Sequence, residues 1–406
     1  MSESVPDGWK SFRLGDVAEE ISDRVDDPSK SGYDRFVGLD HLDSGELTIR
    51  RWGSTADLLS AMKLFKSRDI LIGRRNAYLK RASKAEFDGV CSGDAYVVRE
   101  KAGTIAEGLL PIILNSDSFW DYTIAHASGT MSKRAKWRDL AEYSFLLPSL
   151  EEQRRIATTL WAAEDCIVKG ERFVAAAERA KKALMRELFS KGIGHTEFQD
   201  LKGFGKIPKR WEMKKIGDLA ISATSGSTPL GGDKVYQKTG IPLLREQNVQ
   251  MNKLDLEDVA FISKEIHDSM KRSTIQPDDV LLNITGASIG RVAVTPNSLK
   301  EANVNQHVCR IRLNNGIIPS YVSQYLSSIM GQKQIMSMQI GSSRQGLNFE
   351  QVKSLQVPFP PLPEQRQIAT LLTRCDETIA AARANVAAAK ALKMKMINEM
   401  LTPQNG

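Results

Sequence analysis

Apolar residues recur at steps of four and three along two long stretches of the chain. In the first, Ile156, Leu160, Ala163, Ile167, Gly170, Val174, Ala177, Lys181, Leu184 and Leu188 form one stripe. In the second, Ile368, Leu372, Cys375, Ile379, Ala382, Val386, Ala389, Lys393, Met396 and Met400 do the same. This alternation is the seam period of a coiled coil, and it predicts two helices too long for an ordinary globular domain, each needing a partner for its stripe. The irregularities coincide as well, with a small residue at Gly170 and Ala382 and a lysine at Lys181 and Lys393. Ser149 with Glu152 has capping-box spacing, Pro363 suits a first turn, and Gly192, Gly194 and Pro403 are stop signals. Roughly 40 residues rising roughly 1.5 Å each make rods of roughly 60 Å.

The stripes belong to an internal repeat. PSLEEQRRIATTL from Pro148 and PPLPEQRQIATLL from Pro360 place Leu150, Glu152, Gln153, Arg154, Ile156, Ala157, Thr158 and Leu160 opposite identical residues 212 positions later. Upstream, WKSFRLGDVA from Trp9 and WEMKKIGDLA from Trp211 repeat at an offset of 202. The chain therefore alternates a globular segment (1–150), a rod (151–191), a linker (192–208), a second globular segment (209–362) and a second rod (363–402). Two complementary rods in one chain are tethered at high effective concentration, which favours an antiparallel pair within the molecule over pairing with another copy.

Within the globular segments, strand-like runs include FVGLDHL, DILIG and AYVVRE in the first and IPLLRE, DVLLNITG and HVCRIRL in the second. DGVCSGDAYVVRE and EANVNQHVCRIRL fall in corresponding places, as do the helical stretches LLPIILNSDSFWDYTIAHA and PSYVSQYLSSIMGQKQIMSM. A short element, Gly129-Thr130 or Gly341-Ser342, follows each. The predicted class is α+β: two mixed α/β modules separated by two long helices, related by a pseudo-two-fold repeat. The frames match and the residues hung on them differ, which predicts that the modules recognise different targets.

Charge sharpens this picture only by its distribution. Residues 1–150 carry 21 Lys/Arg against 23 Asp/Glu, while residues 201–362 carry 20 against 13, so the second module holds most of the net +7. A basic balance suits a polyanionic partner. No apolar run is long enough for a membrane span and the first residues are polar and acidic, which predicts a cytosolic protein. Cys91, Cys166, Cys309 and Cys375 are widely spaced and are expected as reduced thiols without metal or disulfide.

Catalytic signatures are missing. The chain has no phosphate loop, no GxGxxG, no HExxH and no [ND]PP[YF] amine-holding motif. GASIG matches a nucleophile elbow around Ser288, but strand-like residues follow where a helix is needed. His195 and Glu197 have the HxE spacing of a zinc deaminase without the cysteine pair that completes it.

Basic residues with amide, hydroxyl and aromatic neighbours are the positive signal. In the first module they are Arg50, Arg51, Arg74, Arg75, Asn76, Tyr78, Lys80, Arg81, Lys133, Arg134 and Lys136. In the second they are Ser225, Ser227, Thr228, Arg245, Gln247, Asn248, Asn283, Thr285, Ser288, Arg291, Asn305, Gln306, His307, Ser342, Arg344 and Gln345. Arg grips guanine edges, Asn and Gln grip adenine, and hydroxyls and lysines fasten phosphates. Each cluster alone is also compatible with a solvated loop; matched positions in two modules favour contact with duplex DNA.

The twice-used PxLxEQRxIA helix start, the W-x4-[LI]-GD-[VL]-A opening of each module, and the cores DILIGRRNAYLKR and LLNITGASIGRVAV resemble the DNA specificity subunits of type I restriction-modification enzymes. The resemblance covers nearly the whole chain. It implies a noncatalytic subunit whose two target recognition domains read the halves of an asymmetric bipartite site, with the paired helices acting as a ruler. It also implies two methyltransferase subunits and motor-endonuclease restriction subunits as partners, with S-adenosylmethionine, ATP and Mg²⁺ held by those partners and no cofactor here. Glu152, Gln153, Arg154, Glu364, Gln365 and Arg366 are then expected at the domain-helix junctions in structural or subunit-contacting roles. A self-sufficient DNA-modifying enzyme and a coiled-coil adaptor that never touches DNA are the competing readings.

Overall fold

Each stripe closes into one unbroken helix: α1 spans Leu150–Lys191 and α2 spans Leu362–Met400. Every seam position read from the sequence is buried or half-buried. The computed structural model describes residues 7–129, 133–339 and 346–403, and its chain divides into two compact units that each take a piece of both helices. Unit 1 is Met1–Phe173 with Ala382–Gly406, and unit 2 is Val174–Ala381.

In unit 1 the start of α1 lies antiparallel to the end of α2. Lys393 pairs with Glu164, Lys390 lies 2.6 Å from Glu171, and a Cβ on Gly170 would come within 2.7 Å of Val386. The glycine that weakens the stripe in sequence thus admits the opposite helix. In unit 2 the end of α1 lies antiparallel to the start of α2, where Lys181 pairs with Asp376. Lys181 and Lys393 are repeat equivalents, and so are Glu164 and Asp376. The lysines that interrupt the stripe are therefore the cations of two equivalent cross-helix ion pairs, a polar device that fixes register and direction.

The module of unit 1 has a four-stranded antiparallel sheet, in the order Ala18–Ile21, Ala95–Glu100, Ile70–Gly73, Ala82–Lys84. Beside it a five-stranded sheet contains one parallel pair, Arg35–Val37 with Gly89–Cys91. Unit 2 repeats the plan, with Ala220–Ser225, Val308–Leu313, Val280–Asn283 and Val292–Val294 in one sheet and a parallel pair, Ile241–Leu244 with Ala302–Val304, in the other. Near-continuous runs such as ILIG and VLLN are buried throughout because both faces of these strands are covered. The expected strand FVGLDHL is shorter than the sequence suggests, since Leu39–His41 turns as a 3₁₀ helix after Val37.

Shared frame residues hold both modules in the same way. Asp69 accepts from Arg99 Nε and Nη2, both at 2.7 Å, and Asp279 accepts from Arg312 at 2.8 and 2.7 Å. A Cβ on Gly15 would stand 3.2 Å from Ala141 Cβ and one on Gly217 3.1 Å from Lys353 Cβ, so the Gly of each Gly-Asp pair lets a short opening helix sit against the helix before the last strand. The expected linker is partly a hairpin, Phe198–Leu201 with Gly205–Pro208. In unit 2 the core gathers Trp211, Tyr321, Tyr325, Phe189, Ile368 and Leu372; in unit 1 it gathers Leu14, Ile70, Trp120, Ile156, Leu160 and Ile397. No helix among the described residues is long and apolar enough to cross a membrane.

Candidate nucleic-acid interface

The EQR motif fastens each helix to its module through glutamine. Gln153 Oε1 accepts from Ala106 N at 3.0 Å and its Nε2 donates to Pro148 O at 2.9 Å. Gln365 does the same with Ile318 N at 2.9 Å and Pro360 O at 2.8 Å. The glutamates diverge. Glu364 accepts from Ile193 N at 2.8 Å and Trp211 Nε1 at 3.1 Å and lies 2.9 Å from His195 Nε2, so it ties the linker to the start of α2. Glu152 turns to Arg155 Nε at 2.7 Å, so the expected capping box is half formed, by Ser149 Oγ alone at 3.4 Å. Arg154 and Arg366 are exposed.

In unit 1 the strand Ile70–Gly73 runs into the loop that carries Arg74, Arg75, Asn76, Tyr78, Lys80 and Arg81. Asn76 and Lys80 adopt φ of 56° and 47°, an arrangement that Asn tolerates, and the 3₁₀ turn between them leaves Tyr78 66% exposed. A second segment meets this loop: Ala135 N donates to Arg74 O at 3.0 Å, Asn76 N donates to Lys133 O at 3.2 Å, and Arg75 bridges Arg134. Asp94, on the turn before the strand Ala95–Glu100, lies 3.6 Å from Arg74, 3.6 Å from Arg75 and 3.5 Å from Arg134. One carboxylate thus gathers three guanidinium groups and leaves a net positive head. Lys80 donates to Asp117 at 2.7 Å and holds that carboxyl below its ordinary range, while Lys133 and Lys136 are exposed. Arg51 is turned to Asp43 at 2.7 Å and Asp40 O at 2.8 Å.

Unit 2 builds the same place from other residues. The strand Val280–Asn283 runs into a loop with the 3₁₀ turn Gly286–Ser288; Leu347 N donates to Ile284 O at 2.8 Å and Thr285 bridges Gly346. His307 stands where Asp94 stands in unit 1. Thr228 donates to Gln306 Oε1, Gln306 Nε2 reaches His307 Nε2 at 3.0 Å, and His307 Nδ1 meets Thr285 Oγ1. A chain of hydroxyl, amide and imidazole groups therefore replaces the arginine head. Ser227, Thr228 and Gln247 are exposed; Ser225, Arg291 and Arg245 are half-buried, the last 3.8 Å from Asp258.

Four expected contact residues are held inside the fold instead. Arg50 donates to Glu46 at 3.3 Å and also to Glu164 and Glu171 of α1, sewing its loop onto the helix pair. Asn248 is 1% exposed and binds Arg245 N, Asp255 O and Asp258 O. Asn283 is fully buried and donates to Glu246 O at 2.8 Å and to Ser288 Oγ at 3.1 Å. Asn305, 6% exposed, donates to Glu246 Oε2 at 2.9 Å and accepts from His307 N. As folded, none presents an edge to a base. Thr130, Gly341, Ser342, Arg344 and Gln345 lie outside the described residues. Sequence reasoning missed Asp94, although the alignment of SGD with NQH places it opposite His307.

Ser288, one of the expected DNA contacts, is half-buried, accepts from Asn283 and is followed by the strand Val292–Val294, so GASIG is not an elbow leading into a helix. Among the described residues no group of three or more His, Cys, Asp or Glu side chains is gathered as a metal site would require.

A family model described as the type I restriction modification DNA specificity domain matches residues 208–388. The chain is 22% identical to the MjaVIII specificity subunit of Methanocaldococcus jannaschii, over 98% of this chain and 93% of that one. The MjaIX specificity subunit of the same organism is 30% identical over 45% of this chain and 42% of its own length. Among solved structures, the S subunit of the type I restriction-modification system from M. genitalium aligns over 100% of this chain and 98% of its own with a TM-score of 0.61 at 12% identity. A chain from a study of type I R-M complex assembly covers 99% of this chain and 100% of its own with a TM-score of 0.57 at 20% identity. These likenesses extend to the fold as a whole.

Proposed function

We propose, on the premise that the chain is a specificity subunit of the type I restriction-modification family, that it binds an asymmetric bipartite DNA sequence, one half through each unit. The chain supplies the address and partner subunits supply the chemistry: two methyltransferase subunits that use S-adenosylmethionine and restriction subunits that use ATP and Mg²⁺. The observation that carries the reading is the substitution at one shared place. The strand-end loops meet their neighbouring segments through the same backbone bonds in both units, yet Arg75, Arg134 and Asp94 in unit 1 become Thr285, Gly346 and His307 in unit 2. A fixed frame with exchanged side chains suits two readers of different base sequences. Arginines favour guanine edges, while amide and hydroxyl groups favour adenine and phosphates.

Selection of bound duplexes from a random pool by the full-length protein, with its methyltransferase partner, tests this. A motif in two parts is expected. Arg134→Ala should relax one part only and Gln306→Ala the other only. A single undivided motif, or a variant that changes both parts, refutes the assignment. Methyl transfer by the chain alone would favour the self-sufficient enzyme. DNA binding that does not weaken with salt would favour the adaptor, because phosphate contacts release counter-ions.

A further inference from the structure

A cleft of about 410 Å³ lies beside the contact loop of unit 2, walled by Thr224–Ser227, by the turn Lys271–Ser273 and by Phe349. Lys271 and Arg272 are exposed, and among the described residues neither side chain has an ion-pair or hydrogen-bond partner. The acidic residue of the cleft, Asp268, lies 3.3 Å from Lys264. Behind Thr224 sits Arg310, 7% exposed and held by neutral oxygens: Thr224 Oγ1 at 3.0 Å, Ser222 Oγ at 3.1 Å and Thr274 O at 2.7 Å. Its Nε is buried without a partner among the described residues, and burial followed by the neighbouring Arg312 lowers its pKa from the ordinary value. A buried cation bonded only to neutral acceptors leaves its field largely uncancelled. The hydroxyl wall is fixed by Gly226, which donates to Asn305 O at 3.1 Å and whose Cβ would stand 1.5 Å from Val304 O.

We propose that this cleft seats a phosphate of the DNA backbone next to the half-site read by unit 2, with Lys271 and Arg272 as its cations and Ser225 and Ser227 as its hydroxyl donors. The proposal rests on the DNA-binding reading above. Cations and hydroxyls without an amide recognise phosphate and carry no base preference. Phe349, 37% exposed, gives a deoxyribose an apolar wall. The cleft is continuous with the chain segment bearing Thr228, whose hydroxyl reaches Gln306 in the expected base-reading chain. The seat therefore positions the duplex and leaves the reading of bases to its neighbours.

The test compares full-length protein, Lys271→Gln/Arg272→Gln and Ser225→Ala/Ser227→Ala on one mixed-sequence duplex across a salt series. Thermal unfolding of each variant serves as the check that these changes leave the fold intact. Removing two cations should make the slope of log K against log salt shallower by about 1.8, which is about 60-fold in affinity per decade of salt. The serine variant should bind several-fold more weakly at an unchanged slope, since neutral donors release no counter-ions. Bases selected from a random pool should be the same for all three proteins. A cation variant with the parent slope would overturn the seat while leaving DNA binding standing. A changed base preference would overturn its assignment to the backbone. A parent protein with no salt-dependent binding would remove the DNA reading itself.

Discussion

Glu164→Leu should destabilise unit 1 more than Lys393→Met, although the two side chains form one ion pair. Glu164 and Lys393 are 3% and 2% exposed, so neither charge is relieved by water when its partner is removed. They differ in what remains. Without Lys393, Glu164 still accepts from Arg50, and the loss is that of a hydrogen bond to a charged group, about 1.5–3 kcal/mol. Without Glu164, the Lys393 ammonium keeps only Gly45 O at 2.7 Å, and a stranded buried charge costs about 3–5 kcal/mol. Arg50 is cushioned in either case by Glu46 and Glu171. The double variant removes both charges and should recover most of the loss, giving a coupling of about 2 kcal/mol or more toward stability. Urea unfolding of the full-length protein and the three variants measures the cycle. Additivity within about 0.5 kcal/mol would refute the claim that the pair is a buried unit. The repeat supplies an internal control. Asp376 is 33% exposed and also accepts from Gln324 Nε2 at 2.6 Å, so Lys181→Met should cost no more than about 1 kcal/mol.

Gln153→Ala and Gln365→Ala should each cost about 1–3 kcal/mol, because the buried N–H of Ala106 or the half-buried N–H of Ile318 loses its acceptor; urea midpoints check this, and a neutral change would show that the bond is dispensable. Burial, then Glu107, pushes Glu100 up to about 7 from an ordinary 4.5. The folded state holds this proton more tightly than the unfolded chain, so stability should fall as pH rises from 4.5 to about 7 and level off above. After allowance for the part of Glu100 still reached by water the loss is about 1–2 kcal/mol, and Glu100→Gln should flatten that part of the pH profile of thermal unfolding. Burial pushes the thiols of Cys91 and Cys309 up to about 12, so an aromatic disulfide reagent at mildly alkaline pH should label exposed Cys166 promptly and those two only after unfolding. Prompt labelling of Cys309 would contradict its burial.

The helices were legible in the chain because a seam of fixed period is written in residue type alone, and the repeat confirmed it twice. Legibility stopped where an interaction joins residues far apart in sequence. Lys181 and Lys393 read as flaws in the stripe, since nothing local announces that Asp376 and Glu164 stand opposite them. Arg50 read as a DNA contact for the same reason: its acidic partners Glu164 and Glu171 lie more than a hundred residues away. Asn248, Asn283 and Asn305 carry the chemistry that reads adenine, but an asparagine that satisfies internal backbone carbonyls, or in the case of Asn305 the Glu246 carboxylate, looks identical in a string of letters. Lys271 and Arg272 passed unnoticed because their hydroxyl neighbours arrive from a strand some forty-five residues upstream, Thr224–Ser227.

What the two units keep in common and what they exchange follow from the same constraint. Gln153 and Gln365, Gly15 and Gly217, and the Asp-Arg forks at Asp69 and Asp279 answer to buried backbone groups or to close packing, so altering any one leaves an unsatisfied partner or a clash. These positions are fixed by the fold whatever the module reads. Asp94, Arg134 and Tyr78, or Gln306 and Thr228, lie beside loop ends tied by backbone bonds, Ala135 N to Arg74 O and Leu347 N to Ile284 O, in which their side chains take no part, so those side chains can change without disturbing these bonds. Under the proposed reading, a module can change what it contacts only at residues whose replacement leaves the backbone bonds of the frame intact. The arginine head of unit 1 and the amide-hydroxyl chain of unit 2 are two solutions at such a place, and one can be exchanged for the other at little cost in stability. Replacing Thr285, Gln306 and His307 by residues from unit 1 should therefore move unfolding midpoints less than Gln365→Ala alone, while altering which duplexes are retained. If the exchange unfolded unit 2 instead, the site would be part of the frame, and the separation of scaffold from reader would fail.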